Sequence, residues 1–147
     1  MNRRKTIGLA LQGGGSWGGY TWGVLDALLR RRSVVVAQLS GTSAGAINAA
    51  IVASALAKGS EPHARETLTS FWRRIADPAI ADVARAWWWP LDRYLRNSVS
   101  DWLLAGGMLG NRTLSTLGVN WLRQAIAEHV DIEAIRSKSG PALFVTA

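Results

Sequence analysis

The chain has 147 residues, 48% of them apolar and 18% charged, which places it among globular domains rather than disordered segments. It contains no cysteine and only His63 and His129 as histidines, so disulfides, thiolate zinc sites, thiol catalysis and a multi-histidine metal centre are excluded. The net charge of +7 favours anionic partners such as a phospholipid surface or nucleic acid.

Met1 to Leu11 has a basic start followed by a short apolar run. Gln12 and three glycines break that run before it reaches signal-peptide length. No stretch is long and apolar enough to span a bilayer; Ala46 to Ala57 comes nearest and is interrupted by Asn48 and Ser54. The expectation is a cytoplasmic protein with room for peripheral contact with an anionic membrane. The basic clusters Arg30 to Arg32 and Arg73-Arg74 read first as solvated helix faces. Tryptophan occurs eight times, enough to ask whether some of it meets lipid, because the side chain suits both cores and membrane interfaces.

Thr6 to Leu11 predicts a short buried strand, and the glycine-rich stretch Gly13 to Gly19 follows it. Val24, Leu25, Leu28 and Leu29 share one face of a helix predicted over Tyr20 to Arg31. Val34 to Leu39 predicts a second buried strand. The turn Ser40 to Gly45 then leads into a helix over Ala46 to Lys58, which Gly59 can end. Residues 60 to 130 read as helical: Leu68, Phe71, Trp72 and Ile75 hold the helical spacing, Asp77-Pro78 is a good helix start, and Trp121, Leu122, Ala125 and Ile126 suggest a last helix. Ala142 to Thr146 predicts a third strand. Strands alternating with helices in this order mean an α/β fold with a parallel sheet. The chain closes within an apolar strand that needs a neighbour, which is read as truncation.

Two motifs carry chemistry. Gly41-Thr42-Ser43-Ala44-Gly45 is a G-x-S-x-G between a strand and a helix. A nucleophilic serine needs such a sharp turn to project its hydroxyl above the sheet edge, and small neighbours let strand and helix approach. The N–H of Ala44 is then placed to receive an oxyanion, aided by the helix N-terminus. Gly13-Gly14-Gly15-Ser16-Trp17-Gly18 is formally a G-x-G-x-x-G, again after a strand and before a helix. Its free N–H groups suit either an oxyanion hole or a dinucleotide pyrophosphate. The dinucleotide alternative asks for an acid at the end of the second strand, and Leu39-Ser40 offers none.

The two glycine motifs in this order, with Gly23-Val24-Leu25 between them and Gly-Ala-Ile-Asn-Ala completing the second, resemble the patatin-like phospholipase family; Leu143 to Ala147 is similar to a later strand of it. The resemblance implies a three-layer α/β/α sandwich. The 147 residues would then be the N-terminal part of one such domain. It further implies a lipid acyl hydrolase working by a Ser-Asp dyad, with Ser43 as nucleophile and Gly13, Gly14 and Gly15 as oxyanion donors. No metal or organic cofactor is implied. The dyad aspartate is expected in an Asp-Gly-Gly or Asp-Gly-Ala motif beyond the third strand, and no Asp-Gly pair occurs in this sequence. Trp17 also departs from the family, many of whose members carry a basic residue in the glycine loop. The rival readings are an inactive fragment or non-catalytic binding module, and a nucleotide-binding domain. Neither histidine is clearly placed to act as a base.

Overall fold

The structure is a computed structural model describing residues 4–31, 33–77 and 122–146. Met1–Trp72 with Ile126–Ala147 forms one compact unit and Arg73–Ala125 a second. The first unit holds the sheet. Of the second, residues 73–77 and 122–125 are described. The helix expected to start at Asp77-Pro78 continues beyond Asp77 into residues outside the described ones, and Trp121 of the last expected helix lies outside them too.

Three parallel strands, β1 (Lys5–Leu11), β2 (Val34–Thr42) and β3 (Ala142–Thr146), form one sheet in the order β1-β2-β3. The helices are α1 (Gly18–Leu29), α2 (Ala44–Lys58), α3 (Glu61–Ile75), α4 (residues 122–129) and α5 (Ile132–Arg136). This is the open α/β sheet expected from the alternating pattern, and it is consistent with the patatin-type α/β/α fold.

Leu9, Leu39 and Leu143 are register partners across the three strands and point to the same face. α2 lies on the sheet, and Ile51, Val52 and Leu39 are fully buried. The alternate residues Ala10, Ser40 and Phe144 form the other face, where Phe144 is exposed. The strands therefore alternate in burial among the described residues, although their apolar composition predicts burial throughout. Ala37 is an extra residue in β2 opposite Ile7 and Gly8, a bulge that shifts the register.

α1 begins two residues before the predicted start and ends two before the predicted end. Gly18 and Gly19 are poor helix formers, yet Gly18 is buried where a larger residue would not fit. At the other end, Arg31 N–H donates to Leu28 O and Val34 N–H to Arg31 O, a tight turn that hands the chain to β2. On α3 the buried side chains are Ala64, Leu68 and Phe71, at the expected helical spacing. Asp26 on α1 receives Arg65 of α3 at 2.7 Å and Arg30 at 2.7 Å, which ties the two helices on their solvent side. Burial alone would raise the Asp26 pKa, but the hydrogen bonds from Arg65 and Arg30 and their charges outweigh it and hold the carboxyl below its ordinary value. The N–H of Asp131 donates to the buried Ser54 Oγ at 2.8 Å, joining the start of α5 to α2.

Candidate active site

The carboxyl ends of the parallel strands gather both glycine motifs, the usual place for a site in an open α/β sheet. β2 runs on to Thr42 and α2 begins at Ala44, so the predicted six-residue turn is compressed to the single residue Ser43. Two contacts explain this. Gly41 and Thr42 are held in the sheet by pairing with Val145 and Thr146 of β3. At Gly41 the missing side chain lets α2 fold straight back, since a Cβ there would collide with the carbonyl of Gly45 and stand 2.6 Å from the nitrogen of Ala46.

Ser43 has φ 53° and ψ −123°, a conformation that non-glycine residues adopt at a cost of about 1–3 kcal/mol. It is exposed and precedes the first turn of α2, yet its side chain makes no capping hydrogen bond. The hydroxyl thus stands free of the local role that a serine at a helix start usually takes. The N–H groups of Ala44 and its neighbours belong to the helix's first turn, where amides lack intrahelical acceptors.

The glycine loop lies directly alongside. A Cβ on Gly13 would stand 2.9 Å from Thr42 O and 3.2 Å from Ser43 Cβ, so only glycine lets the loop approach the elbow this closely. Gly14 and Gly15 both have positive φ, 135° and 59°, and Trp17 N–H donates to Gly14 O to close a 3₁₀ turn over Gly15–Trp17. Gly45 fixes the other side: a Cβ there would collide with Leu11 O and lie 2.7 Å from Gln12 O. The end of β1, the glycine loop and the start of α2 are therefore in backbone contact.

The structure brings Gly13, Thr42, Ser43 and Ala44 together, and Gly18 joins them, since a Cβ at Gly18 would lie 2.9 Å from Ala44 Cβ. The rim includes exposed aromatics: Trp17 is 71% and Tyr20 75% exposed, with the Trp17 side chain next to Gly14. Thr146 Oγ1 and Thr42 Oγ1 share a hydrogen bond of 2.8 Å at the strand ends, a pairing that the sequence reading, which placed Thr42 in the turn, did not signal.

Among the described residues, the histidines, Asp26 and Asp131 lie on other parts of the fold. His129 Nε2 is 3.1 Å from Ser70 Oγ, and its ring meets Phe71 edge-on at 5.6 Å. His63 lies in the first turn of α3 beside Gly59. Asp26 is held by its two arginines. Asp131 accepts from Ala134 N–H, caps α5 and pairs with Lys58 at 3.1 Å. That backbone bond, with Lys58 assisting, lowers its pKa. Among the described residues there is no cluster of three potential metal ligands and no helix long and apolar enough to cross a membrane.

One buried polar residue below the site was given no role by the sequence reading. Asn48 is completely buried in α2; the sequence shows it as part of the Gly-Ala-Ile-Asn-Ala stretch and as a break in an apolar run.

Neither the curated proteins nor the solved structures gave a match to this chain. The family model for patatin-like phospholipase matches residues 9–142, a span running from β1 through both glycine motifs to the start of β3. A strained serine between strand and helix, with a glycine loop against it, is what those matched residues build, and the chain belongs to the patatin-like phospholipase family.

Proposed function

We propose that the protein hydrolyses the carboxylic ester of a phospholipid or related lipid, with Ser43 as the nucleophile. The observation that carries this reading is the backbone of Ser43, held at positive φ with its hydroxyl exposed and not used as a helix cap. Strain at one non-glycine residue beside a glycine loop is the mark of a residue kept in place for its chemistry.

In this mechanism a base takes the proton from Ser43 Oγ as that oxygen bonds to the ester carbonyl carbon. The carbonyl oxygen becomes an oxyanion and accepts hydrogen bonds from the N–H of Ala44 and from N–H groups of Gly13, Gly14 and Gly15. Collapse of the tetrahedral intermediate breaks the ester C–O bond, and the leaving alcohol takes the proton. Water then attacks the acyl-serine and releases the fatty acid. The base is the family's aspartate, for which this sequence offers no Asp-Gly pair. Asp26 and Asp131 are committed to ion pairs away from this role. Gly41, Thr42 and Gly45 hold the elbow, and Gly18 ends the glycine loop. The net charge of +7 and the exposed Trp17 and Tyr20 support peripheral contact with an anionic lipid surface.

The test is labelling of the full-length protein with a fluorophosphonate. Covalent modification at Ser43, lost in Ser43→Ala together with esterase turnover, is the expected result. Labelling or turnover that persists in Ser43→Ala overturns the reading.

A further inference from the structure

Asparagine in a core is costly unless its amide is bonded at both ends, and Asn48 meets that condition across three helices. Its Nδ2–H donates to Gly18 O at 2.9 Å, and its Oδ1 accepts from the indole N–H of Trp72 at 2.9 Å. The orientation is fixed by chemistry: an indole nitrogen can only donate and a carbonyl can only accept. The bonded groups lie on α1, α2 and α3, yet they meet beside the catalytic elbow. Gly18 is the first residue of α1, immediately after the glycine loop. Asn48 is one helical turn beyond Ala44, on the same side of α2. The Trp72 ring fills the place of a Gly18 side chain, 2.8 Å from where its Cβ would be, and Ala44 Cβ closes that space at 2.9 Å.

We infer that Asn48 is a positioning residue: its carboxamide locks the end of the glycine loop to the helix that carries Ser43, and so sets the loop's N–H groups against the oxyanion. The inference rests on the reading of Ser43 as nucleophile. The loop's anchor on its far side is this amide, whereas on its near side the backbone contacts at Gly13 and Gly45 act. Loosening one anchor lets the donors drift while the elbow stays folded. A misplacement of about 1 Å at a catalytic centre costs on the order of 100-fold in rate. The loss falls on kcat, because the donors bind the oxyanion and not the ground-state ester.

The experiment measures kcat and KM for a soluble p-nitrophenyl ester with the full-length protein and its Asn48→Asp, Trp72→Phe and Ser54→Ala variants. Asn48→Asp keeps the shape and the acceptor for Trp72 but replaces the donor facing Gly18 O with an oxygen. Trp72→Phe keeps most of the ring against Gly18 and removes only the N–H. Ser54→Ala is the control: Ser54 is the other buried polar side chain of α2, bonded to Asp131 N–H rather than to the loop. The expected result is a fall in kcat of about 10- to 100-fold for Asn48→Asp, a smaller fall for Trp72→Phe, and KM near the original value in both. Ser54→Ala should lower the melting temperature but leave kcat unchanged.

The indole proton of Trp72, identified by its disappearance in Trp72→Phe, should be slow to exchange in the parent protein and fast in an Asn48→Ala variant. That measurement reports the anchor independently of catalysis, whereas turnover that survives in Ser43→Ala defeats the nucleophile reading itself. The inference is overturned if folded Asn48→Asp and Trp72→Phe both retain kcat within twofold, or if Ser54→Ala lowers kcat as much as they do. If Asn48→Asp does not fold, Trp72→Phe decides between the same outcomes.

Discussion

Gly45 at the start of α2 rests backbone to backbone on the carbonyl oxygen of Leu11 at the end of β1. No side chain fits between them. Gly23, in the middle of α1, has nothing within 4 Å of where its Cβ would be. Substitution by alanine should therefore have opposite signs at the two sites. Gly45→Ala must push β1 from α2, and a loss of about 2 kcal/mol or more is expected from such overpacking. Gly23→Ala should stabilise by about 0.5–1 kcal/mol through helix propensity. Urea unfolding of the two variants checks this, and a Gly45→Ala protein as stable as its parent would contradict the contact.

The strain at Ser43 gives a second prediction. A residue at φ 53° and ψ −123° stores about 1–3 kcal/mol that glycine would not, while glycine gives back about 0.5–1 kcal/mol in chain entropy. Ser43→Gly should therefore be more stable than the parent by about 1 kcal/mol and lose fluorophosphonate labelling altogether. A lower midpoint in urea would show that the elbow is relaxed.

Acid should weaken the tie between α1 and α3. The pKa of Asp26 is lowered in the folded state: burial opposes the shift, and Arg65 and Arg30 overcome it. A depressed carboxylate contributes stability that is fully present above its unfolded pKa, near 4, and is lost as pH falls through the folded value. Asp26→Asn should destabilise the protein at pH 7 and flatten its stability profile below about pH 4. An unchanged acid limb in Asp26→Asn would place the titrating group elsewhere.

Vesicle binding separates charge from aromatic contact. With a net charge of +7, sedimentation with anionic vesicles should weaken as salt is raised, since the Debye length shrinks to about 3 Å at 1 M. Trp17→Ala and Tyr20→Ala, at the most exposed aromatics of the described residues, should remove any binding that survives high salt. Salt-independent binding unaffected by either change would argue against both contributions.

Strand, glycine loop, helix, strand, elbow and helix were legible in order from the sequence. The signals there are local: apolar runs of strand length, helical spacing at Leu25, Leu28 and Leu29, and glycines where the backbone turns to positive φ, as at Gly14 and Gly15. Ser43 was marked by the residues on either side of it, because a tight strand-to-helix turn selects its own neighbours. What only the tertiary structure decided depends on atoms far apart in the chain. The elbow shrank to one residue because Val145 and Thr146 pair with Gly41 and Thr42, about a hundred positions away. Glycine is required at position 45 by Leu11, and at position 18 by the Trp72 ring and Ala44. Asn48 broke an apolar run in the sequence; its two hydrogen-bond partners, 30 and 24 residues distant, turned the same residue into the pin of a three-helix junction. Hydrophobic periodicity records which face of a helix is buried, whereas the partner of a buried amide is set only when the helices pack.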